Sequence, residues 1–72
     1  MAQSVYKVIE VIGTSTKSWE EAAKNAVELT GEHLRELRVA EVLAQDLVIS
    51  SAGKVEAYRT KLSVSFKYEG GH

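Results

Sequence analysis

The sequence contains no cysteine among its 72 residues, which excludes disulfide bridges and thiolate zinc sites. It also has no excess charge of either sign. Nine basic residues oppose ten acidic ones, so the net charge of −1 provides no broad field for nucleic acid or an anionic membrane. No apolar run approaches the ~18 residues needed to span a bilayer. We therefore expect neither nucleic acid nor membranes among its partners.

The length predicts a single domain, which we assign to residues 1–72, with 70–72 set aside as a candidate tag remnant. A chain this short buries only about 60% of the surface that it exposes when unfolded. Because disulfides are excluded, oligomerisation is the leading way to stabilise it. The N-terminus lacks the pattern of a secretory signal, so the predicted location is the cytoplasm.

One amphipathic helix is predicted from Ser18 to Leu37. Its apolar residues recur at helical spacing and form one stripe: Trp19, Ala22, Ala23, Ala26, Thr30, Leu34 and Leu37. Ser18 with Glu21 three residues later predicts a capping box at the helix start, in which the carboxylate reaches back to the cap. Gly31 is unfavourable inside a helix by about 1 kcal/mol. It therefore either admits another backbone or weakens the end of the helix.

The first strand is predicted from Ser4 to Ile12, with Gly13 ending it. Apolar side chains lie on both of its faces: Val5, Ile9 and Val11 on one, Tyr6, Val8 and Ile12 on the other. A strand of this kind is usually covered on both sides. In so small a chain, the second cover would have to come from another copy.

Two further strands are predicted, from Leu37 to Ile49 and from Val55 to Tyr68, joined by a glycine-containing hairpin loop over residues 50–54. The third strand alternates clearly, with apolar residues on the side that would face the helix. If it lies between the other two, all pairings are antiparallel and the helix covers a single sheet. The predicted fold class is therefore α+β, in the order β-α-β-β.

The other face of the third strand is polar and carries five hydrogen-bond donors: Arg59, Lys61, Ser63, Ser65 and Lys67. This row is at least ~14 Å long at ~3.4 Å per residue. Two interpretations stay open, a solvated sheet face and the lining of a cavity.

Several segments, in this order and spacing, resemble the dodecin family. They are YKVIEVIGTS (6–15), SWEEAAKNAV (18–27), LRVAEV (37–42) and KLSVSFKYE (61–69). The resemblance implies a subunit whose antiparallel sheet wraps one helix, with twelve copies forming a hollow homododecamer. Such a shell would supply the second cover for the first strand and an enclosed interior for the polar face.

The resemblance also implies a small-molecule site, because typical dodecins bind flavins such as riboflavin or FMN between subunits. A tryptophan on the second strand stacks on the flavin ring, and a glutamine on the third strand hydrogen-bonds to it. Those positions fall here on Val39 and Arg59. Valine offers no aromatic face, and arginine lacks the acceptor of glutamine. We therefore assign Val39, Arg59 and Gln45 to a candidate pocket whose flavin affinity is reduced.

Valine at that position, together with the Gln45-Asp46 pair, resembles the calcium dodecin branch of the family. Calcium needs six to eight oxygen ligands, usually with more than one carboxylate. No contiguous acidic loop supplies them, so a calcium site would have to be assembled from separate elements or copies. Asp46 and Glu41 are the candidate metal ligands on the second strand, and Glu20 and Glu21 are candidates at the helix start.

No arrangement of residues in the sequence indicates catalysis. His33 and Glu36 share a helix face but do not make a metal site. The serines have no companion base in a recognisable arrangement. The predicted function is therefore non-enzymatic: a homo-oligomer that binds or stores calcium or another small ligand, with flavin binding or a purely structural shell as alternatives.

Overall fold

A computed structural model describes residues 5–67 of the chain. Its elements are β1 (Tyr6–Ser15), α1 (Trp19–His33), β2 (Leu37–Ile49) and β3 (Val55–Lys67). The predicted strand ends at Ser4 and Tyr68, and the tag remnant at 70–72, lie outside the described residues.

The three strands form one antiparallel sheet in the order β1-β3-β2, so β3 is the central strand as predicted. The α+β fold with β-α-β-β order is confirmed. The β2–β3 hairpin turns at Gly53, whose φ of 78° lies in the left-handed region that glycine adopts at little cost. The Ser50 N–H donates to the Lys54 carbonyl at 2.8 Å and closes the turn.

The core is small and lies where α1 crosses β3. Ala26 of the helix is buried against Leu62 and Val64. Ala22, beside Gly13 of β1, and Thr60 of β3 are also buried. Five partly buried residues pack around the core: Ile9, Val11, Ala23, Val27 and Leu37. The prediction that the alternating apolar side of β3 meets the helix is confirmed. The alanines matter because a small side chain lets the helix lie close to the sheet.

The prediction that Gly13 ends the first strand is wrong. Gly13 pairs with Thr60 inside the ladder, and β1 continues to Ser15. A Cβ at Gly13 would lie 2.0 Å from the Ala22 carbonyl oxygen and 2.8 Å from the Ala26 Cβ. Glycine is therefore required because the helix backbone crosses the strand here. A glycine inside a strand can mark such a close approach and need not end the strand.

The helix ends at His33, earlier than the predicted Leu37, although its start after Ser18 is confirmed. Glu36 has φ 63°, so the chain turns through a left-handed residue and Leu37 opens β2 instead. A Cβ at Gly31 would meet only the Leu37 side chain, at 3.5 Å. No backbone of the described chain approaches Gly31 closely, so its effect is to weaken the last turn.

Only half of the predicted capping box forms. Ser18 Oγ accepts from the Glu21 N–H at 3.0 Å, as expected of an N-cap serine. The Glu21 carboxylate does not reach back to the cap, because it accepts from the Ser15 hydroxyl at 2.5 Å. The N-cap N–H points instead towards the Ser15 hydroxyl oxygen, at 3.4 Å.

The subunit is more extended than a compact domain of its size. Its radius of gyration is 15.1 Å, against about 11 Å for a compact chain of this length. Large apolar side chains stay exposed along both edge strands: Tyr6, Val8, Ile12, Val39, Val42, Leu43, Leu47 and Ile49. Among residues 5–67, no helix is long and apolar enough to cross a membrane.

Candidate functional site

The side of the sheet turned away from α1, which we call the outer face, carries most of the candidate site residues. Residues directly across antiparallel strands share a face, so the register defines the set. The outer face comprises Tyr6, Val8, Glu10, Ile12, Thr14, Val39, Glu41, Ala44, Asp46, Val48, Ala57, Arg59, Lys61, Ser63, Ser65 and Lys67. The predicted row of donors thus lies in the middle of this face, between apolar and acidic residues of the edge strands.

Acidic residues of the edge strands neutralise part of the donor row. Lys61 Nζ lies 3.2 Å from the Glu10 carboxylate of β1, and Arg59 pairs with Asp46 of β2. The Ser65 hydroxyl donates to the Val39 carbonyl at 3.3 Å. The outer face is therefore a mixed polar surface with internal pairs rather than a row of unsatisfied donors.

The pair of Arg59 and Asp46 has the two-pronged geometry of a strong arginine–carboxylate contact. Arg59 Nε donates to Asp46 Oδ1 and Arg59 Nη2 donates to Asp46 Oδ2, both at 2.7 Å. The two residues face each other directly across the β2–β3 ladder. The hydrogen bonds from Arg59 hold the pKa of the Asp46 carboxyl below its usual value, and those same bonds raise the pKa of Arg59.

Asp46 is also fixed through its backbone, a contact that the sequence does not indicate. Trp19 Nε1 donates to the Asp46 carbonyl at 3.0 Å, and the indole packs edge-on against the Tyr58 ring with centroids 5.2 Å apart. The Thr60 hydroxyl donates to the Trp19 carbonyl at 2.9 Å. These contacts tie the first turn of α1 to the hairpin and hold Asp46 in place.

The residues assigned to a small-molecule pocket do not come together within one subunit. Val39 lies across from Ser65 and Arg59 across from Asp46, which places them six residues apart along β3, about 20 Å at ~3.3 Å per residue. Gln45 pairs with Thr60 and so lies on the opposite, helix-facing side of the sheet. A pocket that uses all three would need residues from more than one copy.

A shallow depression of about 130 Å³ lies beside Val39 at the start of β2. Its lining is mostly apolar and includes Val27, Leu37 and Val64. Sites for small organic ligands usually measure about 300 Å³ or more. One subunit therefore does not enclose a flavin ring at this position.

The predicted metal ligands are likewise separated. Glu41 lies across from Ser63, four residues along β3 from the partner of Asp46, or about 13 Å. Glu20 is exposed, and the Glu21 carboxylate is engaged by Ser15. Among residues 5–67, no three acidic or histidine side chains come together closely enough to hold a metal ion. The donors have the oxygen chemistry that calcium prefers, but the described part of one subunit does not bring enough of them together.

These features define a small α+β subunit with one sheet face covered by its own helix and the other face uncovered. The chain belongs to the dodecin family, whose family model matches residues 5–69. The family assignment made from the sequence segments is confirmed.

The chain is similar to a calcium dodecin and to other dodecins of known structure. The chain is 55% identical over 64 residues to the calcium dodecin of Mycobacterium tuberculosis, covering 89% of each protein. A crystal structure of that calcium-chelating antigen, described as having a novel calcium-binding site, matches with a TM-score of 0.83 at 51% identity, covering 96% of this chain and 97% of the other. Dodecin from Streptomyces coelicolor matches with a TM-score of 0.90 at 32% identity, covering 99% of this chain and all of the other.

Proposed function

We propose that this chain assembles into a hollow homododecamer that binds calcium at sites between its subunits. Self-association is supported by the small core, by the extended shape and by the apolar side chains exposed on both edge strands. Surfaces of this kind mark interfaces when they are contiguous. Twelve copies are the assembly that family membership favours.

Calcium is supported by the relative that is 55% identical to this chain over 64 residues and is named calcium dodecin. The observation on this chain that carries the proposal is the placement of Glu41. Its side chain is exposed on the outer face and has no hydrogen bond or ion pair within the described part of the chain. It is thus available as a ligand. Because Asp46 lies about 13 Å away along the same sheet, the two carboxylates could contribute to one site only from different copies.

Calorimetric titration of calcium into chelator-stripped protein tests the proposal. We expect saturable binding to the wild type and at least a tenfold weaker Kd for Glu41→Gln, because calcium sites depend on carboxylate charge. Glu56→Gln is the matched control, since Glu56 is another exposed acid of the hairpin, outside the proposed ligand set. Absence of binding up to about 1 mM calcium, the weak end of protein calcium modules, would exclude the function.

Flavin binding is the second candidate, favoured by the apolar depression beside Val39. A second subunit would have to close the depression over the ring. Quenching of riboflavin fluorescence on titration would support it, and Val39→Trp should then tighten binding because the indole provides a stacking face. Unchanged fluorescence at high protein concentration would remove this candidate.

A further inference from the structure

The β2–β3 hairpin extends beyond the rest of the subunit. The pairing of β1 with β3 ends at Ser15 and Tyr58, and Trp19 of α1 contacts Asp46 and Tyr58 at the same level. Beyond that level, residues 48–57 form two paired strands and their turn, which we call the arm. A two-stranded hairpin on its own is marginally stable in water. The arm would therefore gain stability from contact with another surface.

An apolar pair lies near the tip of the arm. Ile49 of β2 lies directly across from Val55 of β3, and the two residues are 62% and 51% exposed. Neither belongs to the core that packs between α1 and β3. Covering such a pair removes apolar surface from water, which favours association.

An apolar site of matching size lies at the other end of β2. The depression of about 130 Å³ beside Val39 is lined by Val27, Leu37 and Val64 among others. It is too small for a flavin ring, but an apolar cavity of about 150 Å³ holds a group as large as benzene. The depression therefore has room for one aliphatic side chain.

Charges beside the two surfaces are opposite in sign. Arg38 lines the depression, and Glu56, next to Val55, is an exposed acid of the arm. Arg38 Nη2 donates to Glu36 at 2.6 Å, and a guanidinium has further donors that can reach a second carboxylate. Approach of the arm to the depression is therefore electrostatically favourable.

We propose that the arm of one copy docks on a second copy and inserts Ile49 into the depression beside Val39. This inference rests on the self-association in the proposed function and names the surfaces that meet. The depression must belong to another copy, because Leu37 and Ile49 lie twelve residues apart on one strand, about 40 Å at ~3.3 Å per residue. A contact between two different patches adds copies until the arrangement closes.

Paired cysteines test the contact directly, because the chain contains no cysteine of its own. Ala40 lines the depression and is exposed. Ile49→Cys combined with Ala40→Cys should cross-link copies on mild oxidation, giving covalent dimers or higher multiples on a non-reducing denaturing gel. Each single variant, and Ile49→Cys combined with Lys24→Cys at an exposed polar position of α1, should run as single chains.

Ile49→Ser tests the same contact without a cross-link. Since buried apolar surface drives association, we expect the assembly to dissociate at a protein concentration at least tenfold higher than for the wild type. Leu29→Ser is the matched control, because Leu29 is a similarly exposed apolar residue, at 58%, outside both surfaces. Its dissociation should stay within twofold of the wild type. Far-ultraviolet circular dichroism shows that each variant keeps its fold.

Either of two results would overturn the inference while leaving self-association intact. One is an assembled Ile49→Cys, Ala40→Cys protein that cross-links no more than its controls. The other is an Ile49→Ser protein that dissociates like the wild type or like Leu29→Ser. A monomeric wild type would instead remove the assembly itself, and with it the proposed function.

Discussion

One glycine lies beside α1 and another lies within it, and the side chain that each one lacks would have different neighbours. Gly13 sits in β1 where the backbone of α1 crosses it, and an added Cβ would lie 2.0 Å from a carbonyl oxygen. Gly31 sits within α1, and an added Cβ would make an ordinary contact at 3.5 Å. The sequence shows only that both residues interrupt a regular pattern. Whether a glycine can be replaced depends on which atoms of other segments lie close to its Cα, and the sequence does not give these distances.

Gly13→Ala and Gly31→Ala should therefore change stability in opposite directions. We expect Gly13→Ala to lose about 3 kcal/mol of folding free energy, because the strand or the helix must move to relieve a clash with the helix backbone. Gly31→Ala should gain about 1 kcal/mol from improved helix propensity. Thermal midpoints at equal protein concentration provide the measurement, since the stability of an oligomer depends on concentration. A Gly13→Ala protein that melts with the wild type would contradict the close approach of helix and strand.

At the scale of elements, several hydrogen bonds fix the position at which α1 begins. The Ser18 hydroxyl caps the Glu21 N–H, and the Ser18 carbonyl accepts from the Ala22 N–H at 3.1 Å. One residue later, Trp19 contacts both β2 and β3. A shift of the helix start would therefore also move the backbone contact that holds Asp46.

Ser18→Ala should destabilise the protein by about 1 kcal/mol, because the Glu21 N–H loses its capping acceptor. Ser18→Gly should cost only a few tenths of a kcal/mol, since glycine is tolerated at the N-cap. Ser51→Ala, at an exposed position of the hairpin turn, is the control and should have no measurable effect. Denaturation monitored by the far-ultraviolet helix signal would rank the three variants. Equal loss in the alanine and glycine variants would show that capping is not the cause.

The elements themselves could be predicted from local patterns, but two of their ends could not. The alternation in β3 and the apolar stripe of α1 are local signals, and the bounds of β2 from Leu37 to Ile49 are as predicted. The continuation of β1 through Gly13 depends on its pairing with β3, and the early end of α1 depends on the left-handed turn at Glu36. Both are set by contacts or backbone angles that local patterns do not encode.

In the candidate site, too, the residues could be predicted from the sequence but the contacts between them could not. Asp46 and Arg59 were each predicted to contact a ligand, but nothing in the spacing indicates that they contact each other. Their pairing follows from the register of the hairpin, which is shifted by irregularities near Val42 and Val48. A shift of one residue would have placed Asp46 on the helix-facing side, because side chains alternate along a strand.

At the scale of the whole molecule, one subunit is incomplete in two ways. Its sheet leaves apolar side chains such as Val8, Val39 and Val42 more than half exposed, and the carboxylates among residues 5–67 are too dispersed to ligate a metal ion. A surface of this kind is unfavourable for an isolated domain, since each buried side chain of this size is worth about 1.5 to 3 kcal/mol. Association of copies would correct both deficits together, by covering the apolar strands and by bringing carboxylates from different chains together.

The most direct test of this account is the molar mass in solution, measured by light scattering after size-exclusion chromatography. Twelve chains of 7.9 kDa predict a single species of about 95 kDa, present at low micromolar concentration with or without calcium. A stable, folded species of 7.9 kDa would contradict the account. The exposed strands would then face solvent, and no second copy would be present to complete a calcium site.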